Sequence, residues 1–261
     1  MSGNDSLAKT LKVVIGVSLV CSIVVSGAAV GLRKIQDRNK QLDKQSNILQ
    51  VSGVKRSGRS IAKVFAKYIE PKIVNLDTGE YVPASQLNPV TFNQKKAADD
   101  PKMSIRLPAS EDTAGILRRS NYALIYLVHN KAGELKRVIL PIHGRGLWSM
   151  MYAFLAIAPD GNTVKGIIYY EQGETPGLGA QVENPGWRAK FVGKKLYNAK
   201  FQPALTLVKG GAAPDAPSQV DALAGATLTS NGVRDTFKFW LGKEGYAKYL
   251  TKLRQGELNN G

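Results

Sequence analysis

Two threonines stand among small residues in the segment AGATLTSNG, residues 224–232. Gly225 and Ala226 come directly before Thr227, and Thr229 follows two positions later. Residues without large side chains let a bulky group lie against the backbone. The segment therefore predicts space for a ligand next to a turn that is rich in hydroxyl groups.

An amphipathic helix is predicted directly after this segment. Its apolar residues recur with helical spacing. They are Val233, Phe237, Trp240 and Leu241. Ser230 is the predicted N-cap, which places Thr229 just outside the helix. The free N–H groups and the dipole of a helix start suit a phosphate group. A capped surface helix that binds nothing is the alternative.

Two further loops carry glycines beside polar or aromatic residues. EQGETPGLGA, residues 171–180, follows a predicted strand, and its backbone N–H groups suit the polar edge of a planar ligand. It is neither a GxGxxG nor a GxxxxGK[ST] motif, so neither a dinucleotide nor an ATP site is indicated. HGRGLWSM, residues 143–150, contains Trp148, which either faces a ring or belongs to the core.

Composition excludes several classes of protein. The 261 residues carry a formal net charge of +16, but no nucleic-acid-binding signature accompanies the basic residues, so an anionic lipid surface or an acidic partner is favoured over nucleic acid. Cys21 is the single cysteine, and with only His129 and His143 besides, we expect no intrachain disulfide and no metal centre.

The N-terminal part of the chain predicts one membrane span. Residues 13–32 are uncharged and, as a helix, about 30 Å long, which matches the hydrocarbon core of a bilayer. A cleaved signal peptide is the alternative, but its apolar region is usually shorter. More Lys and Arg follow the span than precede it, which by itself places the large domain in the cytoplasm. We divide the chain into a tail (1–12), the span, a charged connector (33–53) and one domain (54–261).

The domain is predicted to be of the α+β class, with a mostly antiparallel sheet and flanking helices. A helix stopped by Pro71 comes first, and residues 85–115 are predicted to form a long surface excursion. YALIYLVH and LKRVILPI predict a β-hairpin, and LWSMMYAFLAIA and VKGIIYYE predict further strands. A helix around WRAKFVGKKL, a strand at PALTLVKG and a terminal helix over 230–254 complete the prediction.

One span together with HGRGLWS, ETPGLG and DALAGAT closely resembles the C subunit of the sodium-translocating NADH:quinone reductase, a bacterial respiratory complex. The resemblance extends over nearly the whole chain, and the G subunit of the Rnf complex is a related alternative. It implies a covalent FMN, joined through its phosphate to the hydroxyl of Thr227 by a flavin transferase that uses FAD. Asp221 would belong to the motif that the transferase recognises. Ala224 departs from the family pattern, which usually has serine or threonine there.

The resemblance also implies which residues contact the flavin. Those beside the attachment point are Gly225, Ala226, Leu228 and Thr229. Those expected near the ring and the ribityl chain are Trp148, Glu174, Thr175, Gly177, Leu178 and Gly179. Glu174 is alternatively a structural cap, Thr229 is a second candidate for the attachment, and Lys209 is placed near the flavin oxygens.

By the same resemblance, the chain relays electrons within a multi-subunit complex. They would come from NADH through a subunit with FAD and an iron–sulfur centre, pass this flavin, continue to a second covalent FMN and reach ubiquinone. Sodium transport would belong to multi-span partners. The family places the soluble domain on the periplasmic side of the bacterial inner membrane, against the charge count. The alternative from a different class is a membrane-anchored basic binding module without a cofactor.

Overall fold

The computed structural model describes residues 7–258 and divides into two compact units, one ending at Lys44 and the other beginning at Gln45. The first unit lies within helix α1 (Leu7–Ser52), which continues without a break through the charged segment after the apolar run. Within the described residues, α1 is the one helix that is long and apolar enough to cross a membrane. Its apolar side chains from Leu7 to Ile35 are exposed, which is favourable in a bilayer and unfavourable in water.

The second unit combines short helices with a central sheet. Its helices are α2 (Ile61–Tyr68), α3 (Gln94–Asp99), α4 (Pro185–Ala189), α5 (Thr227–Trp240) and α6 (Ala247–Gln255). Its strands are β1 (Ile69–Asn75), β2 (Tyr81–Val82), β3 (Ser104–Arg106), β4 (Arg118–Ser120), β5 (Tyr122–His129), β6 (Leu135–Arg145), β7 (Met150–Ile157), β8 (Val164–Glu171), β9 (Thr206–Val208) and β10 (Gln219–Asp221). A 3-10 turn covers Gly179–Glu183.

The central sheet has six antiparallel strands in the order β2-β1-β5-β6-β7-β8. Strands β5 to β8 follow one another as a meander, and they coincide with the four apolar runs that the sequence predicts to be strands. Two smaller sheets pair β3 with β4 and β9 with β10. The predicted α+β class with a mostly antiparallel sheet is confirmed.

Both faces of the sheet are buried. Because side chains alternate between the faces along each strand, neighbouring residues belong to different cores. On one face, Leu140 and Leu155 join a core with α5 and α6. On the other, Ile139 and Phe154 pack with α2 and with the last turns of α1, where Ile48 is buried. A side-chain hydrogen bond also holds α5 against the sheet, since the Trp240 indole N–H donates to the carbonyl of His143 at 2.6 Å. Strand β6 is thereby attached to the end of α5.

Some predicted elements differ from the structure. Pro71 lies inside β1 rather than after a helix; the short strand β2 pairs only with residues 73 and 74, so the missing N–H of Pro71 removes no bond to it. Residues 85–115 contain α3 and β3. The helix around 187–196 is reduced to α4, whose start is capped by the Asn184 side chain. The terminal helix is two helices, separated by a turn at Gly242 to Tyr246.

Candidate functional site

Helix α5 begins at Thr227, earlier than the sequence predicts. Its N-cap is Ala226, which has no side-chain group to accept a hydrogen bond, and the prediction that Ser230 is the N-cap is wrong. The Ser230 hydroxyl instead accepts a hydrogen bond from the N–H of Leu223 at 2.9 Å. The N–H groups of a first helical turn have no acceptor within their own helix, so this start presents donors that the N-cap side chain does not occupy.

Gly225 makes the turn into α5 possible. Its φ of 71° lies in the left-handed region, where a side chain would be strained, and a Cβ there would come within 3.2 Å of Cδ2 of Leu178. The turn therefore packs closely against the loop of residues 174–179. The small residues of AGAT bring two chain segments together as well as leaving space.

The two threonines of the segment have opposite surroundings. Thr227, the first residue of α5, is exposed. Thr229 is 2% exposed, and its hydroxyl donates a hydrogen bond to Oε2 of Glu174 at 2.7 Å. A buried hydroxyl that already donates a hydrogen bond is not accessible to a large molecule, so of the two threonines only Thr227 is exposed to the surroundings.

Glu174 is a buried carboxylate that connects three segments, and we call it with its donors the Glu174 clamp. Oε1 accepts hydrogen bonds from the N–H groups of Trp148 and Ser149 at 3.0 and 3.1 Å, and Oε2 accepts one from the N–H of Leu147 at 3.0 Å. The Ser149 hydroxyl also approaches Oε1, at 3.4 Å. With Thr229 added, both carboxylate oxygens are engaged by protein donors, which is the role of a structural link.

The charge of Glu174 is retained despite its burial. Burial by itself would raise the pKa of this carboxyl, but the hydrogen bonds from Thr229 and from the backbone of residues 147–149 outweigh it and lower the pKa below its ordinary value. Two glycines make room for the carboxylate. A Cβ on Gly146 would lie 2.5 Å from Oε1, and a Cβ on Gly179 would lie 2.5 Å from Oγ1 of Thr229.

A cavity of about 240 Å³ lies between the clamp and the start of α5. Eight of the residues that line it are ones that the sequence predicts to lie beside the flavin. They are Thr175, Leu178, Gly179, Gly225, Ala226, Thr227, Leu228 and Thr229. The ninth, Leu147, is not among the predicted residues, and the one signal for it is its place beside Trp148 in HGRGLWS. We call this space the Thr227 cavity.

A second cavity, of about 340 Å³, shares Leu147 and Leu228 with the first. Its other walls come from residues 112–115, from Arg145 and from the side of α5 at Gly232. Leu147, Leu178 and Leu228 are 41%, 45% and 57% exposed, so the edge of the Thr227 cavity is apolar. Exposed leucines around a concave site are typical of a surface that a ligand or a partner covers.

The remaining predicted residues lie outside the walls of the Thr227 cavity. Trp148 is 68% exposed, and its backbone N–H belongs to the Glu174 clamp. Gly177 is exposed in the loop beside Leu178, with a φ of 77°. Lys209 is exposed just after β9 and does not line the cavity.

Asp221, at the end of β10, fixes the chain that leads into the AGAT turn. Its Oδ1 accepts a hydrogen bond from the N–H of Ala212 at 2.6 Å, and its Oδ2 pairs with Lys190. Its carbonyl accepts one from the Trp187 indole N–H at 2.8 Å. The Ala212 bond and then the Lys190 ammonium hold the pKa of Asp221 below its ordinary value.

The Thr227 cavity fits a phosphate ester better than it fits a cation. Its walls consist of a helix start, an exposed hydroxyl, glycine backbone and leucine side chains, with no carboxylate among the described residues that form them. Unpaired N–H groups at a helix start favour an anion, and apolar walls favour a planar ring. No group of three or more His, Cys, Asp or Glu side chains within residues 7–258 is arranged to hold a metal ion.

A family model described as the FMN-binding domain matches residues 146–242, so this part of the chain is a domain of the FMN-binding class. That range contains the AGAT turn, the loop of Glu174 and most of HGRGLWS. The chain belongs to the family of the C subunit of the Na(+)-translocating NADH-quinone reductase. Over 259 residues it is 56% identical to that protein of Vibrio vulnificus (strain YJ016), with 99% of this chain and 100% of the relative covered.

Another relative and two solved structures support the same family. The corresponding protein of Yersinia pestis is 51% identical, covering 99% of this chain and 97% of its own length. The crystal structure of Shewanella oneidensis NqrC matches with a TM-score of 0.77 at 37% identity, covering 83% of this chain and 99% of that chain. The crystal structure of the corresponding protein from Parabacteroides distasonis matches with a TM-score of 0.65 at 28% identity, over 84% and 97%. The family predicted from the sequence is therefore confirmed, and the chain is a subunit of an oxidoreductase complex with an N-terminal helix compatible with a single-pass membrane anchor.

Proposed function

We propose that this protein carries electrons by means of an FMN that is attached covalently, through a phosphoester, to the hydroxyl of Thr227. The observation that carries the proposal is the difference between the two threonines: Thr227 is exposed on the cavity, and Thr229 is buried in a hydrogen bond to Glu174. The sequence alone leaves both open as attachment points.

The residues of the cavity suit the parts of FMN differently. The first turn of α5 would hold the phosphate, because its N–H groups and the helix dipole favour negative charge there. Leu147, Leu178 and Leu228 offer apolar contact to a ring, and Thr175 offers a hydroxyl. When bound, FMN supplies one- and two-electron redox chemistry, and the protein supplies position and environment. Trp148 and Lys209 would reach the flavin only from outside these walls.

The family supports a proposal for the partners and the location. We propose that the electrons come from a subunit with FAD and an iron–sulfur centre and continue through a second subunit with covalent FMN toward ubiquinone. The multi-span subunits of the complex would transport sodium, and α1 would anchor the domain on the periplasmic side of the inner membrane. The exposed leucines at the edge of the cavity support a site that partners approach closely.

We propose that maturation requires a flavin transferase that recognises the segment beginning at Asp221. Attachment to a threonine hydroxyl forms a P–O bond to Oγ1 and breaks the pyrophosphate bond of FAD, with AMP as the leaving group and the hydroxyl proton released. The exposure of Thr227 supports access of such an enzyme.

The test is the fluorescence of the full chain on a denaturing gel after coexpression with the flavin transferase. We expect a fluorescent band for the wild type and for Thr229→Val, and complete loss of the band for Thr227→Val. Thr229→Val is the matched control because it removes the same hydroxyl two residues away. A band that persists in Thr227→Val and disappears in Thr229→Val would contradict the assignment.

A further inference from the structure

A basic cleft lies away from the Thr227 cavity, where the last turn of α1 meets β8 and α4. It encloses about 190 Å³, and its basic side chains are Arg137, Lys165 and Arg188. No aspartate or glutamate is among the described residues that line it. We call this site, defined by these three residues, the basic cleft. Its three positive charges repel each other, and a bound anion would relieve that repulsion.

Arg137 is the fixed member of the cleft. Its Nη1 donates a hydrogen bond to the carbonyl of Val51 at 2.9 Å, in the last turn of α1, and lies 3.4 Å from the carbonyl of Lys165. Gly53 permits this close approach, since a Cβ there would lie 2.6 Å from Nη2 of Arg137. Burial lowers the pKa of the Arg137 guanidinium. The positive charge is thus held in place at the carboxyl end of a helix, where it is favoured.

The other two cations, Arg188 and Lys165, form no salt bridge with the rest of the described chain. Nε of Arg188 is buried and has no hydrogen-bond partner within residues 7–258. Burial lowers the pKa of Arg188, and the charge of Glu183 opposes that effect from outside the cleft. Lys165 is exposed and forms no ion pair among the described residues. The nearby Lys190, in contrast, pairs with Asp221. A buried donor without an acceptor is uncommon in a folded protein, and in Arg188 it belongs to a guanidinium that lines the cleft and forms no ion pair among the described residues.

We propose that the basic cleft is a binding site for a phosphate group, either free phosphate or the phosphate of a lipid headgroup. The guanidinium of Arg188 and the ammonium of Lys165 would donate to its oxygens, and Arg137 would contribute a fixed positive charge. Arginine forks match the oxygens of a phosphate, and a lysine adds a mobile point charge. Val192, which is 55% exposed at the same cleft, gives an ester carbon an apolar surface.

Binding at this place has a mechanical consequence. Gln50 belongs to α1, Lys165 to β8 and Arg188 to α4, and all three line the cleft. A bound phosphate would therefore join the end of α1 to the edge of the sheet and relieve the repulsion of three like charges. It stabilises the folded state because it binds that state and not the unfolded chain.

The first arm of the test uses inorganic phosphate with the full chain purified in detergent. We expect phosphate to raise the melting temperature with saturation, while chloride at matched ionic strength does not. Arg188→Gln should weaken phosphate binding at least tenfold, and Lys165→Gln severalfold. Arg106→Gln and Lys200→Gln are the matched controls, because they remove exposed cations elsewhere, and they should leave the binding unchanged.

The second arm distinguishes the two sources of phosphate. The full chain is placed in nanodiscs of phosphatidylglycerol or phosphatidylcholine, and amine labelling of Lys165 and Lys200 is compared by mass spectrometry. Protection of Lys165 by phosphatidylglycerol identifies a headgroup site, and protection by added phosphate in both lipids identifies a site for the free anion. The proposal is overturned if neither condition protects Lys165 more than Lys200 and Lys165→Gln leaves phosphate stabilisation intact. Because Lys165 is exposed, this variant is expected to fold.

Discussion

The two walls of the Thr227 cavity are built in opposite ways. The wall formed by Leu147, Thr175, Leu178 and Gly179 is held by the Glu174 clamp, in which a buried carboxylate accepts hydrogen bonds from three N–H groups and from Thr229. The wall at Gly225 to Leu228 has a left-handed glycine and a helix start without a side-chain cap. The polar groups of the clamp behind the first wall are satisfied internally, and the second wall leaves a hydroxyl and N–H donors open.

The two walls therefore have different roles: one holds a loop in position, and the other offers groups that can bind a ligand. A closed network of hydrogen bonds holds a loop in one arrangement, and an open helix start is a ready site for an anion. Thr229 belongs to the closed wall and Thr227 to the open wall, although they are only two residues apart. Two threonines in the first turn of α5 thus have different roles, because Thr229 is buried against Glu174 and Thr227 is exposed at the cavity.

The largest effect is expected from removing the clamp. Glu174→Ala leaves three part-buried N–H groups and a buried hydroxyl without their acceptor, and we expect a loss of about 3 kcal/mol in the free energy of unfolding. Chemical denaturation of the full chain in detergent measures it. Glu111→Ala is the control, since that carboxylate makes an exposed ion pair with Lys243 and its loss should cost less than about 1 kcal/mol. Equal losses in the two variants would contradict the clamp.

Acid should weaken the structure in two separate pH windows. Burial lowers the pKa of His143 to about 4 from 6.5, so the unfolded state binds the extra proton first and stability falls as the pH drops from about 6.5 to 4, by about 3 kcal/mol. The lowered pKa of Glu174 contributes stability above the pKa of a free carboxyl, and this part is lost as the pH falls below about 4.3. Denaturation curves at a series of pH values measure both.

Single variants assign each window to its residue. In His143→Phe we expect the free energy of unfolding to change little between pH 6.5 and 4 and still to fall below about pH 4.3. In Glu174→Gln we expect the fall between pH 6.5 and 4 to remain and the fall below it to be reduced. A His143→Phe curve that is as steep between pH 6.5 and 4 as the wild-type curve would mean that other groups cause the loss.

A smaller effect is expected from a methyl group added beside the clamp. A Cβ on Gly179 would lie 2.5 Å from Oγ1 of Thr229 and 2.9 Å from Cβ of Glu174, so Gly179→Ala should cost about 2 kcal/mol. In Gly177→Ala the new Cβ meets no atom within 4 Å, and only the left-handed φ of 77° opposes it, at about 1 kcal/mol. Thermal melting compares the pair, and a Gly177 variant that is the less stable of the two would contradict a tightly packed clamp.

The sequence predicts those parts of the fold that depend on local pattern. The runs of β5 to β8 are long and rich in β-branched and aromatic residues, so they can be assigned without tertiary information. Strand β1 escapes prediction because Pro71 normally interrupts a ladder, and only the shortness of β2 makes it harmless. The two C-terminal helices resemble one in sequence because the turn between them depends on packing, where the N–H of Tyr246 donates to the carbonyl of Trp240.

The members of the site are easier to predict than their roles. Glycines, threonines and leucines of the two loops do line one cavity, but Ser230 matches the N-cap pattern and nevertheless binds Leu223 from inside the first turn. The role of Glu174 depends on N–H groups about 26 residues earlier in the chain, and no local pattern encodes such a distance. Leu147 is not predicted because its one signal, the position beside Trp148 in HGRGLWS, does not distinguish a cavity residue from a core residue.

The smallest effect on stability is expected from Trp148→Ala. The indole is 68% exposed while the backbone N–H of Trp148 is held by the Glu174 clamp, so the side chain can be removed without disturbing the wall. We expect a change below about 0.5 kcal/mol in the free energy of unfolding. If the indole reaches the flavin, the same variant should raise flavin fluorescence in the native chain, because an adjacent indole quenches it. Leu117→Ala, which removes another exposed apolar side chain, is the control and should leave the fluorescence unchanged. A large loss of stability in Trp148→Ala would place the indole in the closed wall, and the division between the two walls would then have to be redrawn.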